Sequence, residues 1–322
     1  MIRDYQASDY PDLLEISKHI WQGEDYLPRR INDYVVDPNS HPMVAVENGR
    51  VIAIANIRFL TPKIAWLEAL RSHPEIRGKG FATELTRKML DKARLLGAEE
   101  AWLLSNAENR PAQRIIEKMA FNEMILLYMW PNWDVMDASL KRLNLDNFHV
   151  ARNVTGLKNL FDKNLETSET ETPYTALVKS LPLSNEAKRL SKSWNRCQSM
   201  EQVVEVVNSI EKGGGINMVT GEFIVYPVDA QIVDSKIKEG AVYYLEKPPA
   251  IATFQKSGEI SGGTGIGLNT PPNVPEALES LLFFVSKTWP DLIYWLFYPS
   301  TLIHPFIKPG FHRQRVMRKK LI

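Results

Sequence analysis

The sequence predicts an α/β fold in which helices pack on a mixed sheet. The apolar runs 43–47 and 51–59 flank Asn48-Gly49, the strongest short signal for an antiparallel hairpin. Apolar segments with strand and helix patterns then alternate from residue 64 to residue 130. A hairpin followed by strand–helix–strand units gives a sheet with both antiparallel and parallel neighbours.

Local patterns justify each element of the first half in turn. A strand at residues 2–5 precedes Ala7-Ser8-Asp9, a run of capping residues that predicts a helix start. The helix after Gly80 has apolar residues at helical spacing, and Gly97 is its predicted C-cap. The remaining elements are a strand at 64–70, a strand at 101–104, a helix at 111–119 that has proline in its first turn, and a strand at 124–130.

The second half shows weaker patterns and an indication of duplication. Helical spacing recurs at 200–210 and 275–288, and the polar stretch 165–175 indicates a linker or long loop. Lys118-Met119-Ala120-Phe121 is similar to Lys308-Pro309-Gly310-Phe311 near the C-terminus. We therefore predict a first domain at 1–138 and a second, diverged copy at 139–322.

Composition excludes several classes of partner. The chain of 322 residues has a net charge of +1, which gives no long-range attraction to nucleic acid or to acidic membranes. Cys197 is the single cysteine, so no disulfide can form within the chain, and a cytoplasmic location is expected. The six histidines show no metal-ligand spacing in the sequence, so no metal is expected.

The stretch from Arg77 to Thr83 joins a strand to a helix and combines glycine with positive charge. The first amides of a helix have no intrahelical partner, and the helix dipole adds positive potential there. Gly78 and Gly80 let the backbone approach a ligand closely, while Arg77 and Lys79 supply charge. A diphosphate fits this environment, although a plain turn with solvated basic residues is the alternative.

Two motifs in sequence order resemble the signatures of the GCN5-related N-acetyltransferase (GNAT) superfamily. Arg77-x-x-Gly80-x-Ala82 resembles its acetyl-CoA signature, and the piece from Asn109 to Phe121 resembles its following helix and strand. The resemblance covers about residues 1–135 and implies a GNAT fold with acetyl-CoA as co-substrate. By the repeat above, the second domain is expected to be GNAT-like and to line the acceptor site.

The resemblance also implies which residues hold the cofactor. The backbone of Leu70, Arg71 and Ser72 would pair with the pantetheine arm, and Asn106 and Asn109 would reach the cofactor from the next loop. The pyrophosphate would be held by Arg77, Gly78, Lys79, Gly80, Phe81, Ala82 and Thr83.

Two residues are candidates for proton transfer. Strand alternation places Glu68 on one face with Trp66 and Leu70, where it would bind the acceptor amine or take its proton through water. The alternative is a pairing of Glu68 with Arg58 or Arg71. Ile116 occupies the position where many relatives have a tyrosine that protonates the thiolate, so Tyr128 is a substitute candidate.

The loop "GEDYLP" and the strand "LEALR" are similar to the histidine N-acetyltransferase group of that superfamily. The similarity implies that Asp25 binds a cationic or donor group of the acceptor, that Tyr26 packs on its ring, and that Arg29 or Arg30 meets a carboxylate. A capped loop, in which Asp25 bonds local backbone amides, is the alternative.

Two further segments are expected to have no catalytic role. Gly262–Gly267 is predicted to be a turn-rich loop, because Pro271-Pro272 follow it and no helix starts there. Arg313–Lys320 is predicted to be an exposed final strand.

The expected function is transfer of an acetyl group from acetyl-CoA to the amine of a small acceptor, with the α-amine of L-histidine as the candidate. Two alternatives stay open. The acceptor is another amine, such as another amino acid, a polyamine or a peptide N-terminus, or the chain is a non-catalytic acyl-CoA sensor.

Overall fold

A computed structural model describes residues 1–23, 25–130, 178, 181–215, 218–220, 224–256, 263–289, 293–302 and 313–321. These residues fall into two compact units. Unit 1 is Met1–Met124 with Arg315–Ile322, and unit 2 is Ile125–Gln314. The predicted linker 165–175 and the repeat motif at 308–311 lie outside the described residues.

The sheet of unit 1 begins with four strands, β1 to β4, each antiparallel to the next. Strand β5 then runs parallel to β4, and β14 lies beside β5. The strands are β1 (Ile2–Asp4), β2 (Ser40–Glu47), β3 (Arg50–Thr61), β4 (Ile64–Ser72) and β5 (Glu100–Asn106), with β6 (Asn122–Trp130) continuing into unit 2 and β14 (Arg313–Lys320) at the end of the chain. Asn48 and Gly49 have φ of 49° and 77°, so the predicted hairpin turn is confirmed.

Four helices cover this sheet, two on each face. The helices are α1 (Tyr10–Ser17), α2 (Leu27–Val36), α3 (Phe81–Leu95) and α4 (Arg110–Lys118). One core contains side chains of α1 and α2 with Val44 and Ile54, and we call this side the α1–α2 face. The other contains side chains of α3 and α4 with Ala53 and Ile57. Gly97, at φ 99°, follows α3 as predicted.

The last strand departs from the prediction of an exposed strand. Within β14, Val316 and Met317 are buried, and Met317 belongs to the same core cluster as Ile116 and Phe121 of unit 1. The compact units therefore have bounds that differ from 1–138 and 139–322, because the final residues of the chain pack in the core of unit 1.

In unit 2 the strands follow one another in the order β6-β13-β12-β11-β10-β7, and β8 and β9 form a separate two-stranded sheet. Its strands are β7 (Asn195–Arg196), β8 (Met218–Thr220), β9 (Val225–Pro227), β10 (Val242–Leu245), β11 (Ala250–Lys256), β12 (Gly263–Asn269) and β13 (Ile293–Pro299). Its helices are α5 (Asn185–Leu190), α6 (Met200–Lys212), α7 (Ala230–Lys238) and α8 (Pro275–Thr288).

The loop predicted at Gly262–Gly267 is wrong for its described part, since residues 263–267 belong to β12. They pair with β11 on one side and with β13 on the other. Glycine weakens the interior of a strand, but its backbone groups can still pair with a strand on either side.

The order of elements in unit 2 matches that in unit 1. Antiparallel β10, β11 and β12 lead into α8 and then into β13, which is parallel to β12. The same order describes β2, β3, β4, α3 and β5. This match supports the proposal that the second half is a diverged copy. Among the described residues, no helix is long and apolar enough to span a bilayer.

Candidate functional site

Strand β4 loses one of its two neighbours part of the way along its length. It pairs with β5 from Ile64 to Leu67, opposite Glu100 to Leu103, and no pair joins the two strands beyond that point. It stays paired with β3 up to Ser72. The backbone groups of β4 beyond Leu67 on the β5 side thus have no strand partner within unit 1, and an extended ligand chain can pair with them.

A β-bulge marks this part of the strand. Glu68 lies opposite Asn56 and Arg71 opposite Ile54, so that Ala69 and Leu70 both face the single residue Ala55. Ala69 has φ 58°, a left-handed conformation that is rare for a residue with a side chain. A bulge re-aims the backbone amides next to it.

The bulge also overturns one prediction about side-chain direction. Leu70 packs in the core under α3 and α4, as does Leu67 three residues earlier. Glu68 contacts Asn56 and Arg58, which share the α1–α2 face with Ile54. Glu68 and Leu70 therefore lie on opposite faces, because the extra residue reverses the alternation on which the prediction depended.

The turn before α3 has a left-handed backbone conformation at two glycines. Gly78 and Gly80 have φ of 82° and 88°, and Gly80 is the N-cap of α3 with no side chain bonded to its first amides. A Cβ atom at either glycine would meet no atom within 4 Å, so the space beside the backbone is open. Arg77 and Lys79 are exposed, and Phe81, Ala82 and Thr83 form the half-buried first turn.

The two predicted asparagines use their side chains locally. Asn109 is the N-cap of α4, where its Oδ1 accepts from the amide of Ala112 at 3.3 Å. The Oδ1 of Asn106 accepts from the amide of Glu108 at 2.7 Å. Both residues shape the loop after β5, and their cofactor contacts stay a prediction.

Glu68 lies in a polar network on the α1–α2 face. Its Oε1 accepts from Asn56 Nδ2 at 2.9 Å and lies 2.9 Å from Arg58 Nη2, and its side chain is 13% exposed. Burial raises the pKa of the Glu68 carboxyl, and Arg58 and Asn56 oppose this shift only in part. The pairing with Arg58 that the sequence left as an alternative is present.

Tyr34 and Asn56 complete the network. The guanidinium groups of Arg58 and Arg30 lie over the Tyr34 ring at 5.4 Å and 5.8 Å, and burial, with a smaller contribution from Glu68, raises the pKa of Tyr34 to about 12. Asn56 is 1% exposed, yet its Oδ1 has no hydrogen-bond partner among the described residues. A buried acceptor without a partner costs free energy unless a ligand bonds it.

Asp25 is part of a buried salt bridge. Arg71 donates to its carboxylate from Nε at 3.2 Å and from Nη2 at 3.1 Å, and Ser17 Oγ and the amide of Leu27 also donate to it. The Asp25 side chain has no exposed surface. This arrangement corresponds to the capped-loop alternative, and the proposed contact between Asp25 and an acceptor has no support in it.

Two aromatic rings lie beside the Arg71 guanidinium. The rings of Trp21 and Tyr26 are 6.0 Å apart, and Arg71 lies 4.9 Å from the first and 5.2 Å from the second. Trp21 is 50% exposed and has φ 46°. Arg29, on the first turn of α2, is exposed, while Arg30 lies 3.0 Å from Asp33.

Ile116 stands at the position of the usual tyrosine, and Tyr128 is the substitute candidate for protonating the thiolate. Ile116 is buried in the core of unit 1. Tyr128 belongs to unit 2, where it pairs with Tyr298 across β6 and β13 and its ring lies 5.7 Å from that of Tyr298. Its proposed catalytic role has no support in these contacts.

The sequence patterns did not predict that Trp21, Tyr34, Asn56 and Arg58 lie beside the candidate site residues. One signal for Asn56 was present, since an amide inside the apolar run 51–59 is costly to bury without a purpose. Tyr34 carried no such signal, because a tyrosine at helical spacing is ordinary core.

Comparison with known families and proteins finds matches to N-acetyltransferases. The profile of the Acetyltransferase (GNAT) family matches residues 2–121. A histidine N-acetyltransferase from Oreochromis niloticus is 35% identical over 80 residues, which is 24% of either chain. The probable N-acetyltransferase 16 from Homo sapiens is 36% identical over 80 residues, 24% of this chain and 22% of that protein. The matched segment thus spans about a quarter of each curated relative.

One solved structure is similar over almost the whole chain. A putative acetyltransferase from Thermoplasma acidophilum, at 12% identity, matches 98% of this chain and 92% of its own with a TM-score of 0.53. At this identity the match concerns the fold alone, and it confirms the predicted fold class.

The Asp25–Arg71 pair generates a stability prediction. Asp25→Ala leaves a mostly buried guanidinium without its carboxylate, so we expect the free energy of unfolding to fall by about 3 kcal/mol. Asp33→Ala is the matched control, since Asp33 is 65% exposed and its pair with Arg30 is worth less than about 1 kcal/mol. Denaturant unfolding followed by circular dichroism measures both. A loss for Asp25→Ala as small as the one expected for Asp33→Ala, under about 1 kcal/mol, would show that the Asp25 carboxylate does not stabilise the fold.

Proposed function

Residues 2–121 form a domain of the GNAT acetyltransferase family, and we propose on this premise that the chain is an acetyl-CoA-dependent N-acetyltransferase. We infer that the acceptor is a small amino-acid-like amine, with the α-amine of L-histidine as the specific candidate. The open turn at Gly78 and Gly80, which follows the end of β4 where pairing with β5 has stopped, is the observation that carries this proposal.

The cofactor is proposed to lie along the end of β4 and over the start of α3. Backbone groups of Leu70, Arg71 and Ser72 would pair with the amide groups of the pantetheine arm. The amides from Gly80 to Thr83, with Arg77 and Lys79, would hold the pyrophosphate. Acetyl-CoA supplies the acetyl thioester, and the protein supplies position and charge.

The α1–α2 face is proposed to hold the acceptor. Asn56 Oδ1 has a free lone pair where a buried amine N–H can donate, directly beside the Glu68 carboxylate. The exposed ring of Trp21, with Tyr26, can stack on an imidazole, and Arg29 can meet a carboxylate. An acceptor that carries an amine, a ring and a carboxylate can make all three of these contacts.

The reaction follows from these positions. The neutral amine attacks the thioester carbon, and an amide near the Ala69–Leu70 bulge donates to the resulting oxyanion. The C–S bond then breaks, the sulfur leaves as thiolate, and the proton of the amine passes to Glu68 through a water molecule. A raised pKa suits Glu68 to this task, since a base that is too acidic accepts a proton poorly.

The leaving thiolate does not require a dedicated acid. A thiol has an ordinary pKa of about 8.5, so the thiolate can depart directly or take a proton from water. This is consistent with Ile116 in the core at the position that relatives use for tyrosine.

Unit 2 is expected to hold no coenzyme A. Its β12–α8 connection, residues 270–274, contains Pro271 and Pro272, and α8 begins with Pro275. Proline has no amide hydrogen to donate to a phosphate.

A panel of acceptors tests the function. Thiol release from acetyl-CoA is measured with L-histidine, histamine, which lacks the carboxylate, L-alanine, which lacks the ring, spermidine, and a peptide with a free N-terminus. We expect L-histidine to give the highest kcat/KM, and histamine and L-alanine each to lose at least about tenfold, because each loses one of the three contacts.

The outcomes separate the proposal from its alternatives. Highest turnover with spermidine or the peptide would keep the chemistry and overturn the amino-acid acceptor. Tight binding of coenzyme A without turnover of any amine would identify a sensor and overturn the enzymatic proposal.

Glu68 generates a prediction on pH dependence. As a base it acts when deprotonated, so a raised pKa moves the acid-side loss of kcat/KM above the ordinary glutamate range of about 4.3. Glu68→Gln cannot titrate. We expect the rate of this variant to fall by about 100-fold or more. The pH dependence of its kcat/KM should then reflect only the titration of the acceptor's own ammonium group.

The control for this measurement is Glu99→Gln, which removes an exposed carboxylate paired with Lys63. Its pH profile should match that of the wild type. A Glu68→Gln profile with an unchanged acid limb and rate would exclude Glu68 as the base.

A further inference from the structure

Three side chains of types that can bind transition metals lie close together at the ends of α1 and β4. Glu15 lies on α1, His19 follows that helix, and His73 follows β4. One ligand atom of each lies within 4.8 Å of the others. We propose that this Glu15–His19–His73 triad is a binding site for a divalent transition metal, with Zn²⁺ as the specific candidate.

The donor set selects the class of metal. Two imidazoles and one carboxylate are borderline ligands that suit Zn²⁺ and its neighbours among the late transition metals, whereas Mg²⁺ and Ca²⁺ prefer oxygen ligands alone. Three protein ligands leave a fourth tetrahedral position for water or a small molecule.

The geometry requires only side-chain adjustment. Tetrahedral zinc with bonds of about 2.0–2.1 Å holds its ligand atoms about 3.3 Å apart. Glu15 Oε1 and His19 Nε2 are already 3.8 Å apart, and the rings of His19 and His73 meet edge to face at 5.2 Å between centroids. The side chains are 38%, 41% and 21% exposed, so rotamer changes can close the remaining distance.

Partners outside the triad are in place as well. Nδ1 of His73 accepts from the Glu75 amide at 3.4 Å and lies 3.8 Å from the Glu75 carboxylate. When Nε2 binds a metal, Nδ1 carries the proton, and a small rotation lets it donate to that carboxylate, the kind of contact that orients a metal-binding imidazole. Lys18 Nζ lies 2.6 Å from Oε2 of Glu15. Lys18 is 67% exposed, so its ion pair is weak and a dication can displace it.

The sequence did not predict this site, because its three residues do not form a metal-binding motif. Glu15 and His19 have the i, i+4 spacing of neighbours on a helix, but the third ligand comes from a strand end 54 positions later (73 − 19). The fold brings it there, since α1 covers the sheet beside the end of β4.

Calorimetric titration of the intact, metal-free chain with zinc chloride tests the proposal. We expect one zinc per chain, and a loss of at least about tenfold in affinity for His19→Ala, His73→Ala and the near-isosteric Glu15→Gln. Lys18→Ala should bind zinc more tightly than the wild type, because it removes the competing cation. Titration with magnesium chloride should give no heat of binding.

His41→Ala is the matched control. His41 lies on β2, where its ring packs against Phe59, outside the triad. Its zinc affinity should equal that of the wild type. Circular dichroism of each variant establishes that a lost signal reflects a lost ligand, and Glu15→Gln preserves the helix if a histidine variant fails to fold.

Two results would overturn the proposal. The first is no zinc binding by the wild type at millimolar concentration. The second is equal binding by the wild type and all triad variants, which identifies adventitious zinc only. The titration contains no acetyl-CoA and no amine, so its failure would leave the proposed enzymatic function untouched.

Discussion

The change of partners along β4 is the constraint on which the candidate site depends. A parallel neighbour satisfies the backbone groups of this strand up to Leu67 and is then lost, while the antiparallel neighbour continues to Ser72. Backbone amides and carbonyls that face an opening need partners, and an extended ligand with amide groups of its own supplies them. The helix that follows begins at a left-handed glycine, and its first amides have no partner within the helix.

The bulge in β4 determines which of its side chains lie on each face of the sheet. It places Leu70 in one core and Glu68 and Arg71 on the α1–α2 face, where polar partners from β3 and from the segment between α1 and α2 lie within bonding distance. Arg71 is neutralised by Asp25, and Glu68 is neutralised by Arg58 and accepts a hydrogen bond from Asn56. The first pair is closed, with no exposed surface on its carboxylate. The second retains one unsatisfied acceptor, Asn56 Oδ1, which is why we place the acceptor amine there.

The sequence predicted the parts of the site that depend on local backbone conformation. Glycines 78, 80 and 97 and the Asn48-Gly49 turn need positive φ, a requirement that is visible in residue type alone. The sequence could not reveal features that depend on the tertiary structure. The bulge at Ala69 has no glycine to mark it, Asp25 and Arg71 are 46 positions apart, and β14 reaches the core of unit 1 from the other end of the chain.

The most direct test of this account is calorimetry of coenzyme A binding to the wild type, Gly80→Ala and Gly97→Ala. Both glycines have positive φ and open space for a Cβ atom, so alanine costs about 1–2 kcal/mol of backbone strain at either one. The account predicts binding by the wild type and Gly97→Ala, and a loss of at least about tenfold for Gly80→Ala, whose methyl group occupies the space proposed for the diphosphate. Equal affinities for both variants, or no binding by the wild type, would contradict it.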